Sequence, residues 1–223
     1  MCGRFSLTAD PTQLKQAFPW LELPDNMTPR YNVAPSQPIA VIPNNGENKL
    51  DFFVWGLIPS WAKDPKIGYR MINARAETLA EKPSFRFAFK RHRCLIPSDG
   101  FYEWKKVPGQ KSKTPTYIRL KSGKPFAFAG LWESWHSKDG SIIPSCTIIT
   151  TEPNEFMRDI HNRMPVILQE ENYRKWLQTG EADAPTLQGM LKPYPGDDLT
   201  AYAVSKYVNS PANDTAACIK PVA

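Results

Sequence analysis

Apolar positions in this chain fall into short runs broken by turn residues, and most runs repeat with the two-residue period of a strand rather than the 3.6-residue period of a helix. After the strand-like CGRF at residues 2–5, Asp10 and Pro11 give an N-cap and first-turn signal for a helix that ends before Pro19. A long polar loop follows. PIAVIP (38–43) and KLDFFVWGL (49–57) flank an Asn-Asn-Gly turn and predict a hairpin. Residues 76–91 predict a helix broken at Pro83. From Cys94 onward, CLIPS, FYEWKK, PTYIRL, PFAFAGLWES and PSCTIITT alternate with SDG, PGQ, KSGK and KDGS turns and predict an antiparallel meander. Asn154 caps a short helix, NEFMRDI, that delivers His161 just past its end. Residues 170–178 predict a further helix and LTAYAVS a late strand. The pattern is that of an α+β domain, mainly antiparallel β with short surrounding helices, and one domain over residues 1–223 is expected because β-rich folds reach this size without splitting.

Composition narrows the class. Hydrophobic residues make up 41% and charged residues 22%, a globular balance rather than a disordered one. The 22 prolines are twice the usual share of about 5%, which fits many short elements joined by stiff turns. The opening MCGRFSLT lacks the basic stretch and apolar core of a signal peptide, and no segment approaches the roughly 18 apolar residues of a membrane span. A cytoplasmic protein with no membrane association is expected, nucleoid-associated if its host is bacterial. Cys2, Cys94, Cys146 and Cys218 form no CxxC pair, and His92, His136 and His161 have no metal-ligand spacing, so no metal and no cofactor are expected. Cys94 and Cys146 sit in apolar runs and read as core thiols. The net charge of +6 favours anionic partners, with KRHR (90–93) and the Lys105, Lys106, Lys111 and Lys113 hairpin as its densest stretches; a solvated basic face is the simpler reading of both.

The chemistry concentrates in a few unusual placements. If Met1 is removed, Cys2 carries an α-amine and a thiol on adjacent carbons, a 1,2-aminothiol that condenses with an aldehyde to an imine and then closes to a thiazolidine. In GFYEW, strand alternation puts Phe101, Glu103 and Lys105 on one face and Tyr102 and Trp104 on the other. Glu103 is then either an inward carboxylate with a raised pKa or an edge-strand partner of Lys105. IHNRMP sets His161 and Arg163 two residues apart, and MINAR does the same with Asn73 and Arg75; in extended backbone each pair points one way, a combination suited to a phosphate-flanked sugar. RYNVAP, with Asn32 and Pro35, and WGLIPSWAKD, with Trp61, place rings, prolines and cations in loops, where Trp61 is either a stacking platform for a base or a packed ring.

These blocks together, CGRF at the extreme N-terminus, RYNVAP, WGLIPSWAKD, INARAET, GFYEW after IPSDG, and IHNRMP, resemble the SOS response-associated peptidase (SRAP) family of abasic site processing proteins, in that family's order over residues 2–165. The resemblance implies curved or barrel-like sheets and a monomer that senses abasic sites in single-stranded DNA and crosslinks to them through Cys2. It also implies autoproteolytic removal of Met1, while a weak lyase side reaction is expected from the imine itself, which promotes β-elimination when the thiol is slow. Cys2, Asn73, Glu103 and His161 match the family's active-site positions; Arg4, Arg75 and Arg163 match residues near DNA phosphates, with Asn32, Pro35 and Trp61 completing the expected DNA contacts. One departure is Ala62, where some relatives carry a second tryptophan.

In the expected reaction His161 delivers a proton to the sugar ring oxygen, Glu103 takes the proton of the α-amine, and Asn73 orients the amine or a sugar hydroxyl. Two other classes compete. Glutamine amidotransferases also begin Met-Cys-Gly, with an N-terminal nucleophile, though no glutamine-site pattern accompanies it here; a noncovalent single-stranded nucleic acid binding module requires only the cations and rings.

Overall fold

The computed structural model describes residues 2–24 and 26–222. Met1, and with it the expectation that Met1 is removed, lies outside the described residues. The chain begins with β1 (Phe5–Leu7) and α1 (Pro11–Ala17). At the start of α1 the Gln13 N–H donates to the Asp10 carboxylate while the Asp10 N–H donates to the Gln13 side chain, a reciprocal cap that fixes where the helix begins. There follow β2 (Arg30–Val33), β3 (Pro38–Pro43), β4 (Asp51–Trp55), β5 (Asn73–Arg75), α2 (Arg86–Arg91), β6 (Arg93–Ser98), β7 (Gly100–Lys105) and β8 (Thr114–Leu120). The second half holds β9 (Phe126–His136), β10 (Ile142–Thr151), α3 (Glu155–Arg158), β11 (Met164–Pro165), α4 (Tyr173–Trp176), α5 (Ala184–Gly189) and β12 (Leu199–Ala203).

Five strands close on themselves. β4 pairs with β3, β3 with β6, β6 with β9 and β9 with β10, all antiparallel, and β10 returns to β4 in parallel. An antiparallel sheet in the order β12-β8-β7-β1-β2 packs against this barrel. Phe5 and Phe101 of the sheet meet the barrel's Trp55 and Phe128 edge-on, with ring centroids 5.2–5.9 Å apart. Each such fully buried ring contributes on the order of 2–3 kcal/mol. On the barrel's outer side Leu14 of α1, Phe89 of α2, Trp176 of α4 and Leu187 of α5 cover Ile42, Leu95, Leu131 and Ile149. The α+β architecture with barrel-like sheets and short helices is as the sequence predicts.

The predicted meander is corrected. β6 and β7 are consecutive, yet β6 belongs to the barrel and β7 to the packed sheet. The switch occurs at Asp99, whose carboxylate accepts from the Ser6 hydroxyl, the Thr8 hydroxyl and the backbone N–H groups of Thr8 and Ala9. Gly100 follows because a Cβ there would sit 2.2 Å from the Tyr117 ring. The predicted helix over residues 76–91 is also shorter: a 3-10 turn at Ala76–Thr78 and then α2 alone, with Pro83 between them. Residues 170–178 form a 3-10 turn, Glu170–Asn172, running into α4.

Candidate active site

Short contacts bring the chain's first residues against β5, β7 and the loop after α3. Asn73, at the start of β5, donates its amide N–H to the Cys2 carbonyl at 2.8 Å. β5 runs parallel to the end of β10, Asn73 opposite Ile148 and Arg75 opposite Thr150, so β10 sets how far Asn73 reaches. Cys2 is fully buried between the sheet and the barrel. Burial first, and the neighbouring Glu103 carboxylate second, hold its thiol protonated well above the ordinary thiol range.

Glu103 is 3% exposed on β7, which lies between β1 and β8. The edge-strand reading is thereby excluded, since β7 is an interior strand and the carboxylate faces inward. Burial raises its pKa from 4.5 to about 7. His161 Nε2 stands 3.8 Å from Glu103 Oε2. The Arg163 backbone N–H donates to His161 Nδ1 at 3.1 Å. Nδ1 also lies 3.2 Å from the Arg163 carbonyl, so the Arg163 backbone holds that side of the neutral ring and Nε2 faces Glu103. Burial lowers the imidazole pKa, which favours that neutral form.

His161 and Arg163 do not share an extended stretch as expected. The chain turns back on itself here, and the Arg163 guanidinium instead makes a two-pronged pair with Glu77 at 2.7 and 3.0 Å and donates to the Thr150 carbonyl at 2.7 Å. Arg75 is exposed at the end of β5. Arg4 and Asn32, expected as DNA contacts, lie in the interior. Arg4 Nη1 donates to Asn32 Oδ1 at 2.7 Å and to the Val208 carbonyl at 2.8 Å, and the Asn32 amide donates to the carbonyls of Val208, Ser210 and Asn213. A phosphate reaching Arg4 has to replace one of those partners. Pro35 is half-buried just after β2. Trp61 is 59% exposed, whereas Trp55 is interior and donates its indole N–H to the Ile72 carbonyl.

Known proteins can now be set beside this geometry. The family model described as SOS response associated peptidase (SRAP) matches residues 1–211. The chain belongs to the SRAP family. Abasic site processing protein YoqW of Bacillus subtilis (strain 168) is 54% identical over 218 residues, covering 96% of this chain and 97% of that protein. Abasic site processing protein HMCES of Pongo abelii is 32% identical over 247 residues, covering 93% of this chain and 69% of that protein. A crystal structure of a protein from Bacteroides thetaiotaomicron superposes with a TM-score of 0.87 at 29% identity, covering 99% of this chain and all of that one.

In this SRAP chain the Ala62 side chain lies under Trp135, whose indole N–H donates to the Ala62 carbonyl at 2.7 Å. The basic KRHR run is split: Lys90 and Arg91 are exposed and pair with Glu181, whereas Arg93 is fully buried, donating to the carbonyls of Phe89, Lys90, Trp176 and Gln178 near the ends of α2 and α4. Sequence reasoning missed Glu77 as the partner of Arg163, although INARAET contains it, and missed Lys113, whose charge bears on both Glu103 and His161. Only its place among the hairpin lysines could have pointed to it. Among the described residues no His, Cys, Asp or Glu cluster is arranged to hold a metal ion, and no helix is long and apolar enough to cross a membrane.

Proposed function

We propose that this protein captures abasic sites in single-stranded DNA as a covalent thiazolidine on Cys2 once the Cys2 α-amine is free. One observation carries the reading: Cys2, Asn73, Glu103 and His161 come from separate segments and meet around a carboxyl group whose pKa lies near 7. The relatives named as abasic site processing proteins supply the substrate class. The opened abasic sugar presents the aldehyde that an aminothiol consumes.

The order of steps follows from the protonation states. A protonated thiol is a poor nucleophile, so the neutral amine attacks first. A carboxyl with a pKa of about 7 is half protonated at neutral pH, so Glu103 delivers the proton to the ring oxygen, a step the sequence assigns to His161. Neutral His161, with Nε2 turned toward Glu103, holds the sugar oxygen in place. The ionised Glu103 then takes a proton from the attacking nitrogen and returns it to the departing hydroxyl, releasing water and leaving the imine. The thiol sulfur bonds to the imine carbon as its proton passes to the ring nitrogen, which completes the thiazolidine with loss of one water overall. Closing the ring removes the protonated imine that drives β-elimination, so the strand stays intact; a slow thiol gives the weak lyase reaction instead.

Arg75 and Arg163 hold the flanking phosphates and Trp61 offers an exposed face to a base. The test is a denaturing gel after incubation with single-stranded DNA bearing one abasic site. Wild type gives a band that survives denaturation, and persistence of that band in Cys2→Ala overturns the reading. Intact mass shows in the same sample whether Met1 is gone.

A further inference from the structure

A second cleft, of 650 Å³, opens on the outer side of the barrel between the loop carrying Trp61 and the start of α2. Its lining combines features that packing does not need together. Trp61 and Phe87 are 59% and 50% exposed, from segments far apart in sequence, yet both rings border the same space. Between them the lining includes Glu133, 5% exposed, on β9 opposite Ser145. Removing a carboxylate from water is costly unless something compensates it. His92 Nδ1 stands 3.5 Å away, but it is itself a buried nitrogen without a hydrogen-bond partner among the described residues. The exposed Arg86 adds a cation at the rim.

We propose that this cleft is a nucleotide-binding site selective for a base with two adjacent N–H donors, guanine in DNA. The two carboxylate oxygens of Glu133 match the N1–H and N2–H groups of guanine, which no other DNA base presents side by side. The rings of Trp61 and Phe87 supply the apolar faces that stack on a planar base. A small organic cation also suits a carboxylate among aromatic rings. Arg86 decides between the two, because it repels a cation and attracts the phosphate of a nucleotide. The site is separate from the covalent chemistry at Cys2, and it gives the strand a preferred base at a fixed remove from the lesion.

The test is titration of the full-length protein, labelled at its tryptophan indole nitrogens, with dGMP, dIMP, dAMP, dCMP and dTMP, followed by NMR. The Trp61 resonance is identified by its loss in Trp61→Phe. The expected result is a Trp61 shift saturating about tenfold more tightly with dGMP than with dAMP, dCMP or dTMP, with dIMP between them because it lacks the N2 amine. Glu133→Gln removes the preference. Equal affinity for all five nucleotides, no Trp61 shift with any of them, or tighter binding of trimethyl-lysine than of dGMP overturns the proposal, each in wild type and so independent of how the variant folds. These nucleotides carry no abasic site, so the gel assay on wild type reports on Cys2 capture separately.

Discussion

The Asn73 side chain holds the carbonyl of Cys2 at 2.8 Å, so the residue proposed to react is positioned through its own backbone. The bond crosses 71 residues of sequence and joins the chain's start to a strand registered on β10. In Asn73→Ala that restraint is lost while the arginines proposed to hold phosphates stay in place. Loss of one hydrogen bond of about 1 kcal/mol slows single-turnover capture roughly five- to tenfold. Noncovalent binding of undamaged single strands, measured by anisotropy, should change less than twofold. A larger loss of binding than of rate would assign Asn73 to the DNA contact instead.

Glu103 makes the protein less stable at high pH. Its folded pKa of about 7 lies above the 4.5 of the exposed group, so the folded state binds the proton more tightly than the unfolded state. Its contribution therefore falls as pH rises from about 4.5 to 7 and then levels off, a total of about 3 kcal/mol. Glu103→Gln removes that dependence and raises the melting temperature at pH 8 by several degrees relative to wild type, while abolishing efficient capture. Parallel melting curves for the two proteins between pH 5 and 8 check it. Identical slopes would mean the carboxylate is not the group that titrates.

The two-pronged Arg163–Glu77 pair sets up a competition between carboxylate and phosphate for one guanidinium. Glu77 is nearly half exposed, and exposed pairs of this kind are worth about 0.2–1 kcal/mol. Glu77→Gln should therefore tighten single-stranded DNA binding by up to about fivefold at low salt. Arg163→Ala should weaken it and reduce the slope of log affinity against log salt by about 0.7, the value for one phosphate contact on a single strand. An unchanged slope would remove Arg163 from the phosphate contacts.

Asp99 is predicted to matter for stability more than its loop position indicates. Its carboxylate gathers the Ser6 and Thr8 hydroxyls and two backbone N–H groups at the point where the chain passes from barrel to sheet. Asp99→Ala leaves those donors unpaired and should cost about 2–4 kcal/mol, a fall of roughly 5–12 °C in melting temperature. Asp99→Ser, which keeps an acceptor, should recover part of the loss. Differential scanning calorimetry of the two variants distinguishes a lost acceptor from a general loop effect.

What the sequence makes legible here is local. Asp10 and Pro11 announce α1 because a cap is written in adjacent residues, and Asn154 announces α3 from its own cap position. The β3–β4 hairpin is likewise declared by its own turn. What is lost is long-range. Nothing near Asp99 says that consecutive strands part there, because the donors that fix the corner lie about ninety residues earlier. Glu103 is ambiguous from alternation alone, since whether β7 is an edge depends on β1 arriving beside it. The interior partners of Arg4 and Asn32 are equally hidden, because they include backbone carbonyls of residues 208–213, and a carbonyl leaves no mark in the sequence.

That last network has a consequence for how the protein is made. Arg4 is held by the carbonyl of Val208, 204 residues later, and Asp214 accepts from Arg30 and from the backbone of Tyr31 and Asn32. A ribosome delivers the beginning of the chain first and the Val208 partner 204 residues later. The segment around Cys2 therefore cannot reach its final geometry on a nascent polypeptide. The terminus proposed to react with an aldehyde is held back until residues 208–214 exist to direct it.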